Sequence, residues 1–475
     1  MQATSAVASR MPDFKDEDIV RLSRELNEPE WLANFRLDAI ASYRRLEVES
    51  SLLFQKYVGL TGADLGDFEY LGTETSPEQS LPPQPNSHEK EATWFSYSVD
   101  PTALQKSGVR VMDLSSALSS CPELLRRAFE SKAVRSRDDK FAAMINALFN
   151  RAIFIHVPAN VALETPVHIQ SKTRPGRAAA IYQIIILTEA LSSVVVLQEG
   201  SSVPSGRPSL EASAVDVQVG PGSHVAFAGV NDHSNEVYVI SNKRAVVDRD
   251  ASVSWTLADM GGSVVRGRLE SEMIGQGSSS DDVQVIFGNG TQKFDMTSNI
   301  NLSVPNTTGT SLSKAVLNDS SESIMKGMVK IRNGAKNSRA YLSLHAMLLS
   351  KSSRAEPIPT LEIDTNEVKA THSAAVEQID PEQVFYLTTR GLGEDTAKRL
   401  IMLSFFEKAV ERVPSPTLRM RIRALVTDKW LGRVGTETDH GEDSFEWALN
   451  FATKTPTVSD IFEGHYKYRK TVEGE

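Results

Sequence analysis

The spacing of apolar residues divides the chain into three stretches. Up to about position 150 they recur every three or four residues; from about Arg151 they alternate with polar ones; beyond about 379 the helical spacing returns. In the first stretch Asn27-Glu28-Pro29-Glu30 offers a cap candidate, a first-turn proline and acids for the positive end of the helix dipole. Trp31, Phe35, Leu37 and Leu46 supply the apolar face behind it. Residues 72–92 are polar, Pro-rich and almost free of large apolar groups, the composition of a flexible linker. Ser115, Ala117 and Leu118 lead into a second helical patch at Cys121-Pro122-Glu123-Leu124-Leu125, and Phe141, Ala142, Ile145, Leu148 and Phe149 mark another helix.

In the middle stretch Val215, Val217 and Val219 alternate with Asp216 and Gln218 before the turn Gly220-Pro221-Gly222. Short strands are expected at 236–240, 252–257, 283–287, 300–304, 328–331 and 341–349. Gly261-Gly262, Gly275-Gln276-Gly277, Gly288-Asn289-Gly290 and Asn333-Gly334 separate them, and Asp281-Asp282 is expected in a turn. Such a run of strands without a helix suits a sandwich, a barrel or a β-solenoid, and no strict sequence period chooses among them.

In the last third Asp380-Pro381-Glu382-Gln383 stacks a cap, a first-turn proline and an N3 glutamine, with Gly391 as the stop. A second helix is expected from about Glu394 to Arg412, built on Ala397, Leu400, Ile401, Phe405, Ala409 and Val413. A third is expected from about Thr417 to Trp430. The acidic tail, 431–475, has no assigned structure.

Composition narrows the chemistry. The net charge of −10 opposes binding to a phosphate backbone. Cys121 is the only cysteine, so the chain forms no internal disulfide and offers no cysteine cage for zinc or a cluster. No run reaches 18 apolar residues, and the amino terminus lacks a signal-like apolar core; a reduced, cytoplasmic setting is expected. Neither GxxxxGK[ST] nor a strand-linked GxGxxG is present, so neither ATP hydrolysis nor a Rossmann cofactor site is supported.

Several separated segments carry a resemblance. LNEPEWLANFRLDA near the start, DDKFAAMINALFNRAIFIHVPANVALETPVHI at the entry to the strands, and RAEPIPTLEI and EQVFYLTTRGL towards the end resemble, in that order, the motifs of the SufB/SufD family of iron–sulfur cluster assembly scaffolds. The resemblance implies a right-handed parallel β-helix between helical ends: a helical region over 1–150, a β-helix over 151–378 and a C-terminal helical domain over 379–430. It implies a protein that is not an enzyme, pairs with a SufB-like scaffold or with a second copy of itself, and binds the SufC ATPase. The SufC-binding candidates are Phe385, Tyr386, Arg390, Leu392, Arg399 and Phe405.

Within the family, SufB-type chains carry a sulfur-accepting cysteine where Leu344 stands here, and a His-Glu pair where this chain has His372-Ser373. A thiolate accepts persulfide sulfur and holds iron; leucine does neither. The segment 367–380, EVKATHSAAVEQID, resembles the SufD branch, some of whose members place a cysteine where Ala370 stands. His372 is then the candidate iron or cluster ligand at the SufB–SufD seam, with other ligands coming from the partner. No cofactor is expected on this chain alone, a transient cluster or iron is expected at the seam, and flavin binding is left open. The alternatives are a SufB-like chain or homodimer that builds the cluster itself, and a β-solenoid carbohydrate enzyme with paired carboxylates on one face. Cys121 and His345 are expected to be structural, His224, His233 and His440 receive no role, and the alternating Arg419, Arg421 and Arg423 are expected at a solvated surface.

Overall fold

The computed structural model describes residues 11–48, 65–70, 94–173, 176–202, 204, 206–413 and 416–432. The expected linker at 72–92, His440 and all but the first two residues of the tail lie outside the described residues. Two nine-stranded sheets face each other, and successive strands from Arg151–Val157 to Lys369–Gln378 fall alternately in one sheet and the other. Within each sheet these strands pair in parallel, so the chain winds as a β-solenoid of about 8 turns. Trp94–Ser98 and Arg110–Asp113, inside the segment expected to be helical, are strands that close the first turn by antiparallel pairing.

The solenoid has no strict sequence period because its turns differ in length. Tyr238 pairs with Val264, 26 residues on, whereas Glu322 pairs with Arg354, 32 residues on. Corners absorb the difference. At Gly261 an added Cβ would meet the carbonyl oxygen of His233 at 2.1 Å, and Gly262 has φ +92, so this corner needs both glycines.

Three apolar clusters hold the molecule. The first fills the lumen with inward residues of both sheets, including Val215, Val217, Trp255, Phe294 and Leu342. In the second, N-terminal helices Asp16–Glu25, Glu30–Arg45, Pro122–Glu130 and Lys140–Leu148 cover the outer face of one sheet at Ile181, Ile185, Leu210 and Ala212. Strands buried on both faces lose alternation, which explains the unbroken run Ile184-Ile185-Ile186. Asn27 is not the cap of the second helix. It is the left-handed link between two helices, at φ 51, and Pro29 occupies the N-cap. Glu28 forms a buried ion pair with Arg36 instead of facing a helix end.

In the third cluster, the helices Glu394–Val410 and Pro416–Trp430 lie along the outer face of the other sheet, with Met402, Phe405, Phe406, Ile422 and Leu425 packed on Leu197, Ala228, Val285 and Phe287. The preceding helix, Pro381–Thr389, is capped by Asp380, which accepts from the Glu382 amide at 2.8 Å, and it buries only Val384. Gly391, at φ +90, breaks the chain before the next helix, as expected. Among the described residues no helix is long and apolar enough to cross a membrane.

Candidate functional site

Among the described residues the last turn has no further turn on top of it. Arg354–Ile363 and Lys369–Gln378 are the terminal strands of their sheets, each paired on one side only. Pro357 and Pro359 lie in the first of them, which an edge tolerates and a central strand does not. Register continues the columns of the lumen: Leu342, fully buried, pairs with His372, Leu344 with Ala374, and Met325 with Pro357. His372 therefore occupies a core-facing position that is exposed because no described residue covers it. Around it Ala355, Leu361 and Ala370 are partly buried against the lumen cluster, while Val376 is 43% and Ile363 40% exposed. An apolar, core-facing ring with one imidazole in it ends the solenoid.

Beneath this mouth the lumen is closed. Leu342 and Leu344 belong to the core cluster, and Gly327 makes room for Leu342: a Cβ there would meet Leu342 Cδ1 at 2.7 Å. On the outer face of the paired strands Arg339–Leu348 and Lys369–Gln378, Ser373 Oγ lies 3.1 Å from His345 Nε2 and donates to Ser343 Oγ at 3.1 Å. His345 is thus a hydrogen-bonded surface histidine on the opposite side from His372. Cys121 is far away in the fold, buried in the N-terminal cluster with its Sγ 3.7 Å from Met112 Sδ. Among the described residues no group of three or more His, Cys, Asp or Glu side chains forms a metal cage. His372 alone is an incomplete ligand set, since one imidazole binds Fe²⁺ weakly.

The other candidates separate into two groups. Phe385 is 70% and Tyr386 57% exposed, Arg390 is exposed with its guanidinium over the Tyr386 ring at 5.1 Å, and Leu392 and Arg399 are half-buried. Phe405 is buried, with the Lys314 ammonium 4.0 Å from its ring centroid, so it holds the helix to the sheet.

Polar groups that the sequence left without a role are concentrated in the lumen and under the C-terminal helices. Glu211 accepts from Tyr182 at 2.8 Å, Thr173 at 2.9 Å and Ser171 at 3.1 Å, and sits 3.3 Å from His233 Nε2. Burial pushes its carboxyl up, but the His233 imidazole and the hydroxyl donors outweigh this and hold it below the usual range. Asp281 and Asp282 are not in a turn. They lie within the strand Ser279–Gly288, Asp282 in the lumen and Asp281 on the outer face, bound to Arg412 and Thr310. Arg421 is not at a solvated surface either; it is half-buried, 3.5 Å from Glu199. The Lys429 ammonium donates to the Met260 carbonyl and to Gln292, and burial lowers its pKa to about 8. A chain-neighbour rule could not find these contacts, because their partners lie from 22 (Glu211 and His233) to 222 (Arg421 and Glu199) residues apart in sequence.

Comparison with known proteins decides the family. Residues 168–405 match the SUF system FeS cluster assembly, SufBD core domain, and residues 92–169 match the SufBD protein N-terminal region. The chain belongs to the SufBD family. It is similar to the iron–sulfur cluster assembly SufBD family protein of Staphylococcus aureus, 24% identical over 419 residues that cover 84% of this chain and 89% of that one. The corresponding protein of Staphylococcus haemolyticus is 25% identical over the same shares. The matched core runs from the strand Val167–Thr173 through the open end and into the helix Glu394–Val410 that packs on the solenoid. Everything described around His372 is therefore SufBD core, and the function is that of a SufBD iron–sulfur cluster assembly protein.

Proposed function

We propose that this SufBD protein is the SufD-type scaffold: a non-catalytic subunit that pairs through its open end with a SufB-like partner and carries a SufC ATPase on its C-terminal helices. The observation that carries the pairing is the exposed, core-facing ring around His372. Two open strand edges and an apolar end cap invite a second β-solenoid to continue both the ladders and the core. Iron or a nascent cluster is the cargo at that seam, with His372 supplying one nitrogen ligand and the partner the thiolates. Support for the SufD role is the absence of a thiol where one would be needed: Leu344 is buried under the mouth, Ala370 lies beside it, and Cys121 is in another cluster. A buried leucine can neither accept persulfide nor hold iron.

Phe385 and Tyr386, on a helix that buries a single residue, and Arg390 at its C-cap form the surface for the ATPase, flanked by Leu392 and Arg399. The long helices behind them are fixed to the solenoid. Closure of two ATPase subunits would then move both scaffolds as rigid bodies and open the seam. Crosslinking the seam is expected to block cluster assembly while ATP turnover continues; unchanged assembly refutes that step.

The test of the main reading is co-purification of tagged chain with SufB-like and SufC subunits, followed by native mass measurement, and reconstitution of the chain alone with iron and sulfide. A mixed complex and no stable chromophore on the isolated chain are expected. A self-paired chain that holds a cluster would favour the SufB-like alternative.

A further inference from the structure

One strand separates the lumen from the docked helices. In Ser279–Gly288 the outward residues Val283, Val285 and Phe287 carry the helix Glu394–Val410, while the inward residues face the lumen. Asp281 and Asp282 are consecutive and so point to opposite faces. Asp281 is held by Arg412 just beyond that helix, and Arg412 Nη2 also donates to Thr310 Oγ1 at 2.8 Å. Asp282 is fully buried: its Oδ2 accepts from Ser298 at 3.3 Å, Ser298 lies 3.0 Å from Ser311, and its Oδ1 has no hydrogen-bond partner.

We propose that this aspartate pair links the two faces: docking of the C-terminal helices through Arg412 and the ionisation of Asp282 favour each other, so that releasing the helices raises the proton affinity of the lumen. The reason is electrostatic. In the lumen Asp282 is surrounded by Trp255, Ser298 and Ser311, and the charges that act on it are Asp281, which opposes its ionisation, and Arg412, which favours it. Burial, with Asp281 beside it, brings the carboxyl to about 8, close enough to neutrality for the Arg412 charge to matter. When Arg412 leaves with its helix, Asp281 loses its counter-ion and the full repulsion falls on Asp282. Linkage is reciprocal, so ionised Asp282 in turn holds Arg412 more tightly. Anything that displaces the helices, a bound partner included, thereby changes the protonation of a group three turns beneath His372, in the column Asp282, Ser311, Leu342, His372.

The measurement is an infrared pH titration of the full-length chain. It follows the carbonyl stretch of a protonated buried carboxyl, identified as the band that Asp282→Asn removes. The wild type is expected to carry the band at pH 7 and lose it around pH 8. Arg412→Gln should raise the midpoint by about half to one unit, a three- to tenfold change in proton affinity, and Arg412→Lys should restore it. Asp281→Asn should move it the opposite way, downward. Far-UV circular dichroism shows that each variant keeps its strands. No band at pH 7, or a midpoint indifferent to both the Arg412 and Asp281 changes, overturns the proposal.

Discussion

Replacing Arg36 tests how the N-terminal segment from Asn27 to Arg36 works as structure. Arg36 and Glu28 are both without exposed side-chain surface. The guanidinium donates through Nε to Glu28 at 2.7 Å and through Nη1 to the Ala147 carbonyl at 3.0 Å, and stacks 3.9 Å from the Phe149 ring centroid. Ser23 Oγ donates to the same carboxylate at 2.7 Å. One side chain thus ties together two N-terminal helices and the end of the helix Lys140–Leu148. Arg36→Met leaves the carboxylate buried without its cation, and breaking a buried pair this way costs about 3–5 kcal/mol. If the N-terminal helices open as one unit, amide exchange across 30–45 and 140–148 should accelerate about 100- to 4,000-fold, with the late solenoid turns unaffected. Glu28→Gln combined with Arg36→Met should recover part of the loss, because no uncompensated charge then remains. An acceleration below about tenfold, or one spread evenly over the whole solenoid, would refute the view that this pair holds the N-terminal helices on the sheet.

Three other outcomes follow from single side chains. Folding raises the Asp282 carboxyl from 3.8 to about 8, so its contribution is complete below pH 3.8 and is lost as pH rises through 8. Asp282→Asn should therefore gain up to about 4 kcal/mol at pH 7 and little at pH 4; denaturant unfolding at both pH values checks this, and equal effects at the two would contradict it. His372→Ala is expected to leave thermal stability unchanged, since the side chain is exposed, and to lower the iron retained by the assembled complex in elemental analysis; an unchanged iron content removes the ligand assignment. Phe385→Asp and Tyr386→Asp should abolish ATPase capture in a pull-down without changing the melting temperature, whereas Phe405→Ala should destabilise by about 3–5 kcal/mol. The reverse pattern would place the docking surface elsewhere.

How much of this was legible in the sequence depended on what each residue faces. The alternation at Val215, Val217 and Val219 is visible because only one face of that piece is strongly apolar; Ile184-Ile185-Ile186, buried on both faces, shows none. Turn lengths that vary from 26 to 32 residues erase the period that would have selected a solenoid unaided. Asp281-Asp282 resembles a turn because two adjacent acids seldom sit inside a strand. Here one is neutralised by Arg412, 131 residues away, and the other by burial in its protonated form. The expected face of the helix Glu394–Val410 included Leu400 and Phe405, yet Leu400 is 41% exposed and Met402 is buried. Its apolar residues surround the helix, so spacing could not say which side meets the sheet.

His372 shows the same limit from the other direction. Nothing in its local sequence distinguishes a ligand from an ordinary edge-strand histidine; the resemblance singled it out. The structure adds a physical reason, which is position in a column. Along that column Phe227, Trp255, Asp282, Ser311 and Leu342 are all covered by the next turn, and each contributes to packing or to a lumen hydrogen bond. Among the described residues His372 is the first member with no turn above it. Whatever completes the solenoid there must bring its own core-facing surface against an imidazole, and an imidazole enclosed by apolar neighbours needs a partner for its nitrogen lone pair. A metal ion held jointly with the next chain satisfies that need, and so does a hydrogen-bond donor; only the first leaves with a chelator. Incubating the assembled complex with a chelator should therefore weaken the seam if His372 is a ligand, and a seam that keeps its dissociation constant after iron is stripped would assign the histidine to hydrogen bonding alone.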